Sequence, residues 1–236
     1  MRSILVRTIN DSLDKFFGIR LQPSAQKRLE MTRADLLSRN AIELVVDVGA
    51  NQGQWGTQLR KLGYQGDILS FEPSIEFQIL QENTKSDATW KCENLALSNF
   101  IGHGEFYSAS NANLSSSLLP PQEILNQGFD ISFERREVTE VTTLDNYFAR
   151  REVNSIYLKL DVQGAEMMVL EGAMRVLEKC RAVEFESAIT PLYKGERQHY
   201  EIARFLMDQG FKPLQLVITH WDKSLRTISL DSIFVR

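Results

Sequence analysis

The segment Leu44-Val45-Val46-Asp47-Val48-Gly49-Ala50-Asn51-Gln52-Gly53 constrains the fold more than any other stretch of the chain. Apolar and β-branched residues run without alternation into an acid and a glycine turn, the pattern of a strand buried on both faces of a parallel sheet. A helical pattern follows at once, with Trp55, Leu59 and Leu62 on one face. Strand, glycine turn and helix in that order form a nucleotide-type cradle. Glycine lets the backbone approach a ligand, and the helix N-terminus presents free N–H groups. The turn lacks Gly-Lys-Ser/Thr, so it is not a P-loop. Its glycines are spaced Gly49-x-x-x-Gly53, which departs from the dinucleotide fingerprint. Asp47, just before the turn, is awkward for a pyrophosphate and suits a ligand with positive charge. Without a ligand, the same segment is an ordinary strand–turn–helix of an α/β domain.

The rest of the chain alternates in kind. Strands are expected at 44–48, 67–71, 89–97, 155–160 and 182–186, with helices at 54–62, 74–83, 165–177 and 198–209 between or after them. In the helix at 74–83, Ile75, Ile79 and Leu80 are expected to face inward. Short strands are expected at 105–108 and 137–141, and Thr143 caps a short helix at 144–148. Two final strands, 213–219 and 231–236, read as an antiparallel hairpin. Residues 109–137 break the alternation: Ser115-Ser116-Ser117 and Pro120-Pro121 are loop formers. A long insertion in such a domain reads as a functional lid. The 236 residues suffice for one α/β domain, 41–236, preceded by a helical extension, 1–40.

That extension is basic, with eight Lys/Arg against four Asp/Glu, although the whole chain carries −4. The overall charge argues against a nucleic-acid partner. Leu5, Ile9, Leu13, Phe16 and Phe17 lie at helical spacing over 3–17. The helix is expected to pack on the domain; the sharper alternative is contact with a partner or a membrane surface. No apolar run approaches the roughly 18 residues of a transmembrane segment, and the N-terminus lacks a secretory pattern. Cys92 and Cys180 have no metal spacing, which fits a reducing cytoplasm. A homodimer stays open.

Parallel strands bring their C-terminal ends to one edge, and here the ends carry Asp47, Glu72, Asn94, Asp161 and Glu186. They predict an acidic, glycine-lined cleft. Glu72 follows Gly49 at about the roughly 20-residue spacing at which an acid reaches a ribose diol, and a carboxylate accepts both of the diol's hydrogen bonds. His199 and His220 are candidate bases, although a lone histidine is more often structural. Asp161 and Glu186 could alternatively hold a divalent cation; no spacing requires a metal.

Asp47-x-Gly49-Ala50-Asn51-x-Gly53, then Phe71-Glu72-Pro73, then Leu158-Lys159-Leu160-Asp161-Val162-Gln163-Gly164-Ala165-Glu166 together resemble the FkbM family of S-adenosylmethionine-dependent methyltransferases. Ala96-Leu97-Ser98, Thr143-Leu144-Asp145, Leu170-Glu171-Gly172-Ala173 and Glu184-Phe185-Glu186 extend the resemblance over about residues 43–236. It implies a class I methyltransferase fold: a mostly parallel seven-stranded Rossmann-like sheet with helices on both faces and an antiparallel C-terminal hairpin. It implies S-adenosylmethionine as cofactor and O-methylation of a sugar, glycolipid or secondary metabolite, a small-molecule or carbohydrate acceptor. The cofactor would meet Asp47, Gly49, Ala50, Asn51, Gly53, Glu72 and Pro73, with Asn94, Leu95 and Ala96 along its adenine and Asp161 and Val162 beside the methyl donor. Asp161 and then Glu186 are the catalytic candidates. Gln163, Glu166, Ser115, Tyr193 and His199 are candidates for the acceptor side, Tyr193 by stacking on a sugar face. The alternative is a non-catalytic nucleotide- or partner-binding module on the same fold.

Overall fold

A computed structural model describes residues 24–125, 131–133, 135–221 and 227–236. The amphipathic stretch at 3–17 lies outside them. Helix α1 (Ala25–Arg39) precedes the first strand, and its N-terminus is capped by Ser24 Oγ accepting from Lys27 N–H. The alternation then runs β1 (Leu44–Val48), α2 (Gln54–Lys61), β2 (Asp67–Phe71), α3 (Phe77–Thr84), β3 (Trp90–Glu93), β4 (Ala96–Leu97), β5 (Gly102–Ser108), β6 (Arg135–Thr142) and α4 (Leu144–Tyr147). It continues with β7 (Ile156–Leu160), α5 (Glu166–Glu171), α6 (Met174–Leu177), β8 (Cys180–Ala188), α7 (His199–Asp208), β9 (Lys212–Trp221) and β10 (Thr227–Val235).

Seven strands form one sheet in the order β3-β2-β1-β7-β8-β10-β9. The first five are parallel, and β10 runs antiparallel between β8 and β9, as the C-terminal hairpin predicted. The order reverses between β1 and β7, and such a switch point is where a crevice opens at the strand ends. Each face of the sheet has its own core. Val46, Val48, Leu158, Leu160 and Phe185 pack under α5 and α7. Val45, Ile68, Tyr157 and Ile233 pack under α1 and α2 with Leu29, Leu36 and Leu59.

The stretch read as one strand at 89–97 divides. Its second half, β4, leaves the main sheet and joins β5 and β6 in a three-stranded sheet. The helix read at 165–177 is broken at Gly172, where a Cβ would sit 2.1 Å from the Ser98 carbonyl oxygen. The helix read at 74–83 starts later, at Phe77, because Ser74 closes a turn onto Glu76 N–H. Leu80 is buried as expected, but Ile75 and Ile79 are exposed and Phe77 packs inward instead. No helix among the described residues is long and apolar enough to cross a membrane.

Candidate active site

Val48 ends β1, and the chain turns at Gly49 with φ +75°. Its backbone N–H and that of Ala50 both donate to the Phe71 carbonyl at the end of β2. The turn is thereby fixed to the neighbouring strand. Asn51 N–H donates to Glu72 Oε2 at 2.7 Å, and Ser74 N–H to Glu72 Oε1 at 2.9 Å. Burial pushes the Glu72 carboxyl up, and these hydrogen bonds oppose the shift. Each oxygen still has a lone pair for a diol.

These residues wall a cleft with about 600 Å³ of empty space, part of it open to solvent. Gly49, Asn51, Glu72, Pro73, Leu95, Ala96, Asp161 and Val162 all line it. Phe71, Phe106 and Leu118 complete its apolar side; Phe106 and Leu118 carry no motif and reach it only through the three-stranded sheet and the insertion. Four other expected cofactor residues stand behind the wall. Ala50 is packed in the core, and Gly53 caps α2. Asn94 is exposed and donates its amide to the Glu72 backbone carbonyl at 2.9 Å.

Asp47 is the fourth, and its positive partner is internal. It is fully buried, with Oδ1 3.0 Å from Lys159 Nζ. The same ammonium donates to the Gly49 carbonyl at 3.1 Å and lies 3.7 Å from Asp161 Oδ2. Burial acts against the Lys159 charge, but Asp47 and Asp161 outweigh it and hold the ammonium above its usual range. One amine therefore ties the glycine turn to the end of β7. Alternation along β7 and β8 places Tyr157 and Glu184 on the same face. Arg33 of α1 grips Glu184 through Nε at 3.0 Å and through its terminal nitrogen, and the Tyr157 hydroxyl donates to Glu184 at 2.5 Å. Neither Lys159 nor Arg33 stood out as a functional residue by type or spacing. Asp47 and Glu184 lie far from them in the chain; β1–β7 register brings Asp47 to Lys159, and the packing of α1 on the sheet brings Glu184 to Arg33.

A second cavity, about 1060 Å³ and partly open, adjoins the first. Asp161, Gln163 and Leu114 line both. Ser115, Glu166, Glu186 and Tyr193 line the second. Burial raises the Asp161 carboxyl, Lys159 opposes that shift, and Gln163 Nε2 donates to it at 2.7 Å. Glu186 differs. Burial would raise it, but His220 and Ser229 outweigh burial and hold it below the usual range. Ser229 Oγ donates to it at 2.8 Å, and His220 Nδ1 lies 3.3 Å away. The same contact raises the His220 imidazole. No group of three or more His, Cys, Asp or Glu among the described residues is placed to hold a metal ion.

Tyr193 offers no ring face to a sugar. It is 1% exposed, its ring meets Phe133 edge-on, and its hydroxyl donates to the Ser115 carbonyl at 2.7 Å. It fastens the insertion to the β8–α7 loop. His199 also stands back, stacked on Phe185 with Nδ1 2.9 Å from Ser187 Oγ, and burial lowers its pKa. Glu166 accepts from Val162 N–H at 3.0 Å and Gly164 N–H at 3.2 Å, which supports the Gln163-Gly164 turn with its two positive φ angles.

Burial pushes the Glu166 carboxyl from 4.5 up to about 8. The unfolded chain ionises this group first, so its contribution to stability is complete at low pH and is lost as pH rises from 4.5 to about 8. Glu166→Gln preserves the acceptor oxygen and removes the titration. Thermal melts across this pH range should show the wild-type midpoint falling more steeply than the variant's; parallel curves would count against a buried neutral acid.

The Methyltransferase FkbM domain model matches residues 47–213. The chain is 26% identical over 187 residues to the 2-O-methyltransferase NoeI of Sinorhizobium fredii (strain NBRC 101917 / NGR234), covering 76% of each protein. Among solved structures, M. capricolum TrmK in complex with S-adenosylhomocysteine matches at TM-score 0.51 and 8% identity, over 88% of this chain and 67% of that one. TehB from Haemophilus influenzae matches at TM-score 0.50 and 11% identity, over 96% and 66%. These two likenesses concern the fold, the class I methyltransferase sheet. The matched family segment contains the glycine turn, Glu72 and the whole run from Asp161 to Glu186, and the chain belongs to the FkbM methyltransferase family.

Proposed function

We propose that this protein transfers the methyl group of S-adenosylmethionine to a hydroxyl oxygen of a small carbohydrate-like acceptor. The observation that carries the reading is the meeting of two differently lined cavities at one carboxylate, Asp161, on the C-terminal edge of the sheet. The smaller cavity suits a nucleoside with an amino-acid tail. Gly49 offers bare backbone, Glu72 offers acceptors to a ribose diol, and Phe71, Leu95 and Ala96 offer an apolar slot for a base. When bound, S-adenosylmethionine would supply an electrophilic methyl group on a sulfonium sulfur. The larger cavity would hold the acceptor, and the name of the NoeI relative supports oxygen as the atom methylated.

The residues then divide the work. Holding acceptor and donor in line contributes up to roughly 7–11 kcal/mol to such displacements. Asp161 is our choice for the proton acceptor, since burial brings its carboxyl closer to neutrality and it lines both cavities. A base in this position is worth about 10²–10⁴ in rate. Glu186, already engaged by Ser229 and His220, would orient the imidazole rather than take a proton. Residues 111–118 wall both cavities and would serve as a lid that keeps water out.

The test is incorporation of labelled methyl from S-adenosylmethionine into a carbohydrate extract. Asp161→Asn is expected to lower kcat by about 10²–10⁴, and Glu72→Ala to act chiefly on the KM for the cofactor. Enzyme-dependent labelling that Asp161→Asn and Glu186→Gln leave unchanged would overturn these roles. Binding without any transfer would favour the non-catalytic module.

A further inference from the structure

Lys159 is a buried cation beside the proposed proton acceptor. It is 6% exposed and second from the end of β7, and alternation turns it to the same face as Tyr157. Burying an ammonium is costly unless it is paired. Register sets a carboxylate on each side of it, Asp47 on β1 and Glu184 on β8. The two are not equivalent. Glu184 is taken by Arg33 and the Tyr157 hydroxyl, and Asp47 takes Lys159 at 3.0 Å. An ammonium has three N–H bonds. The Gly49 carbonyl accepts from this one at 3.1 Å. Asp161 Oδ2 lies at 3.7 Å, a charge contact rather than a hydrogen bond.

A partner for Asp47 needs only the first of these contacts. The other two reach the glycine turn that lines the smaller cavity and the carboxylate that lines both. Asp161 is thereby held from two sides, since Gln163 Nε2 donates to its Oδ1 at 2.7 Å. Its side chain is still 37% exposed, so it is fixed and accessible at once. Burial raises the Asp161 carboxyl, Lys159 is the strongest influence against that shift, and Glu186 adds to it. Among the described residues, the other charged groups around the ammonium are Glu72 at the end of β2, Arg33 from α1, His220 from β9 and Asp231 from β10. Arg33 is committed to Glu184 and His220 faces Glu186, whereas Lys159 is the cation that touches Asp161.

We propose that Lys159 is the positioning residue of the methyl transfer: its ammonium, anchored on Asp47 and the Gly49 carbonyl, keeps the Asp161 carboxylate charged and fixed at the junction of the two cavities, where it takes the acceptor's proton. The inference rests on the methyl-transfer reading. In that step the acceptor oxygen bonds the methyl carbon, and the carbon–sulfur bond breaks with its electron pair going to sulfur. The hydroxyl proton passes to Asp161, and Lys159 exchanges none of its own.

The experiment follows the Asp161 carboxyl by carbon NMR of the full chain, isotopically labelled at the aspartate carboxyls, with the signal identified by its loss in Asp161→Asn. Lys159→Met alone would strand Asp47 in the core, so it is combined with Asp47→Asn, which removes both buried charges together. In this double variant Asp161 is expected to titrate about one pH unit or more above the wild type. Asp47→Asn alone keeps the ammonium, and Asp161 is then expected at or below its wild-type value. Transfer of labelled methyl into the carbohydrate extract should fall about tenfold in the double variant at neutral pH. The deficit should shrink as pH rises, which a merely structural loss would not do. An Asp161 titration unmoved in the double variant, or raised as far by Asp47→Asn alone, would overturn the inference and leave methyl transfer standing. So would a deficit that is the same at every pH. No labelled product from the wild-type protein would overturn the methyl-transfer reading and this inference with it.

Discussion

Gly49→Ala is expected to lower the melting temperature by roughly 5–15 °C and to abolish measurable binding of S-adenosylhomocysteine. Two costs coincide at this residue. Its φ of +75° is a conformation that a side chain with a Cβ resists, at about 1–2 kcal/mol. The added Cβ would also sit 1.9 Å from the Asp161 carbonyl oxygen and 2.8 Å from its carbon. Both are backbone atoms, so no side chain can swing aside, and overpacking of this kind costs about 1–3 kcal/mol. Relief requires the turn after β1 to move away from the end of β7. That junction is where Asp161 N–H meets the Val48 carbonyl and where the two cavities join. Gly63 is a matched control, with φ +95° and open space around its Cβ position. Gly63→Ala should carry the conformational cost alone, about 1–2 kcal/mol, and leave binding intact. Equal effects at the two glycines would show that backbone conformation, not the close approach, is what matters at Gly49.

Glu184→Ala should be the most destabilising substitution away from the cavities, at about 3–5 kcal/mol in urea denaturation. Glu184 is 3% exposed and Arg33 4% exposed, and both sit in the core between α1 and the sheet. Removing the carboxylate strands the guanidinium in that core and leaves the Tyr157 hydroxyl without its acceptor. Arg33→Met combined with Glu184→Leu removes both charges at once and should recover most of the loss. A double variant as unstable as Glu184→Ala would mean that packing around the pair, rather than an uncompensated charge, sets the cost.

The legible part of this protein is the part written locally. The buried strand runs, the glycine turn, the acid at Glu72 and the Asp161–Glu166 run each carry their signal within a few residues. The main sheet and the smaller cavity assemble from them. What local pattern does not reveal is the partner chosen across the fold. Asp47 reads as an acid awaiting a cationic ligand, yet β1–β7 register hands it Lys159, paired directly opposite. Tyr193 reads as a sugar-stacking residue on a loop, yet the insertion folds back and buries it. Helix α3 begins at Phe77, later than the start at 74 that its pattern suggests, and Ile75 and Ile79 are exposed. At Asp47 and Tyr193 tertiary contact overrides a local preference, whereas at α3 a local turn from Ser74 to Glu76 does.

The central claim is that the cavity between Gly49, Glu72 and Ala96 holds S-adenosylmethionine. Isothermal titration calorimetry of the full chain with S-adenosylhomocysteine tests it directly. One molecule per chain binding in the micromolar range is the predicted result, weakened at least tenfold by Glu72→Ala as one charge-assisted hydrogen-bonding group is lost. No binding heat up to millimolar ligand, from a folded protein, would contradict it.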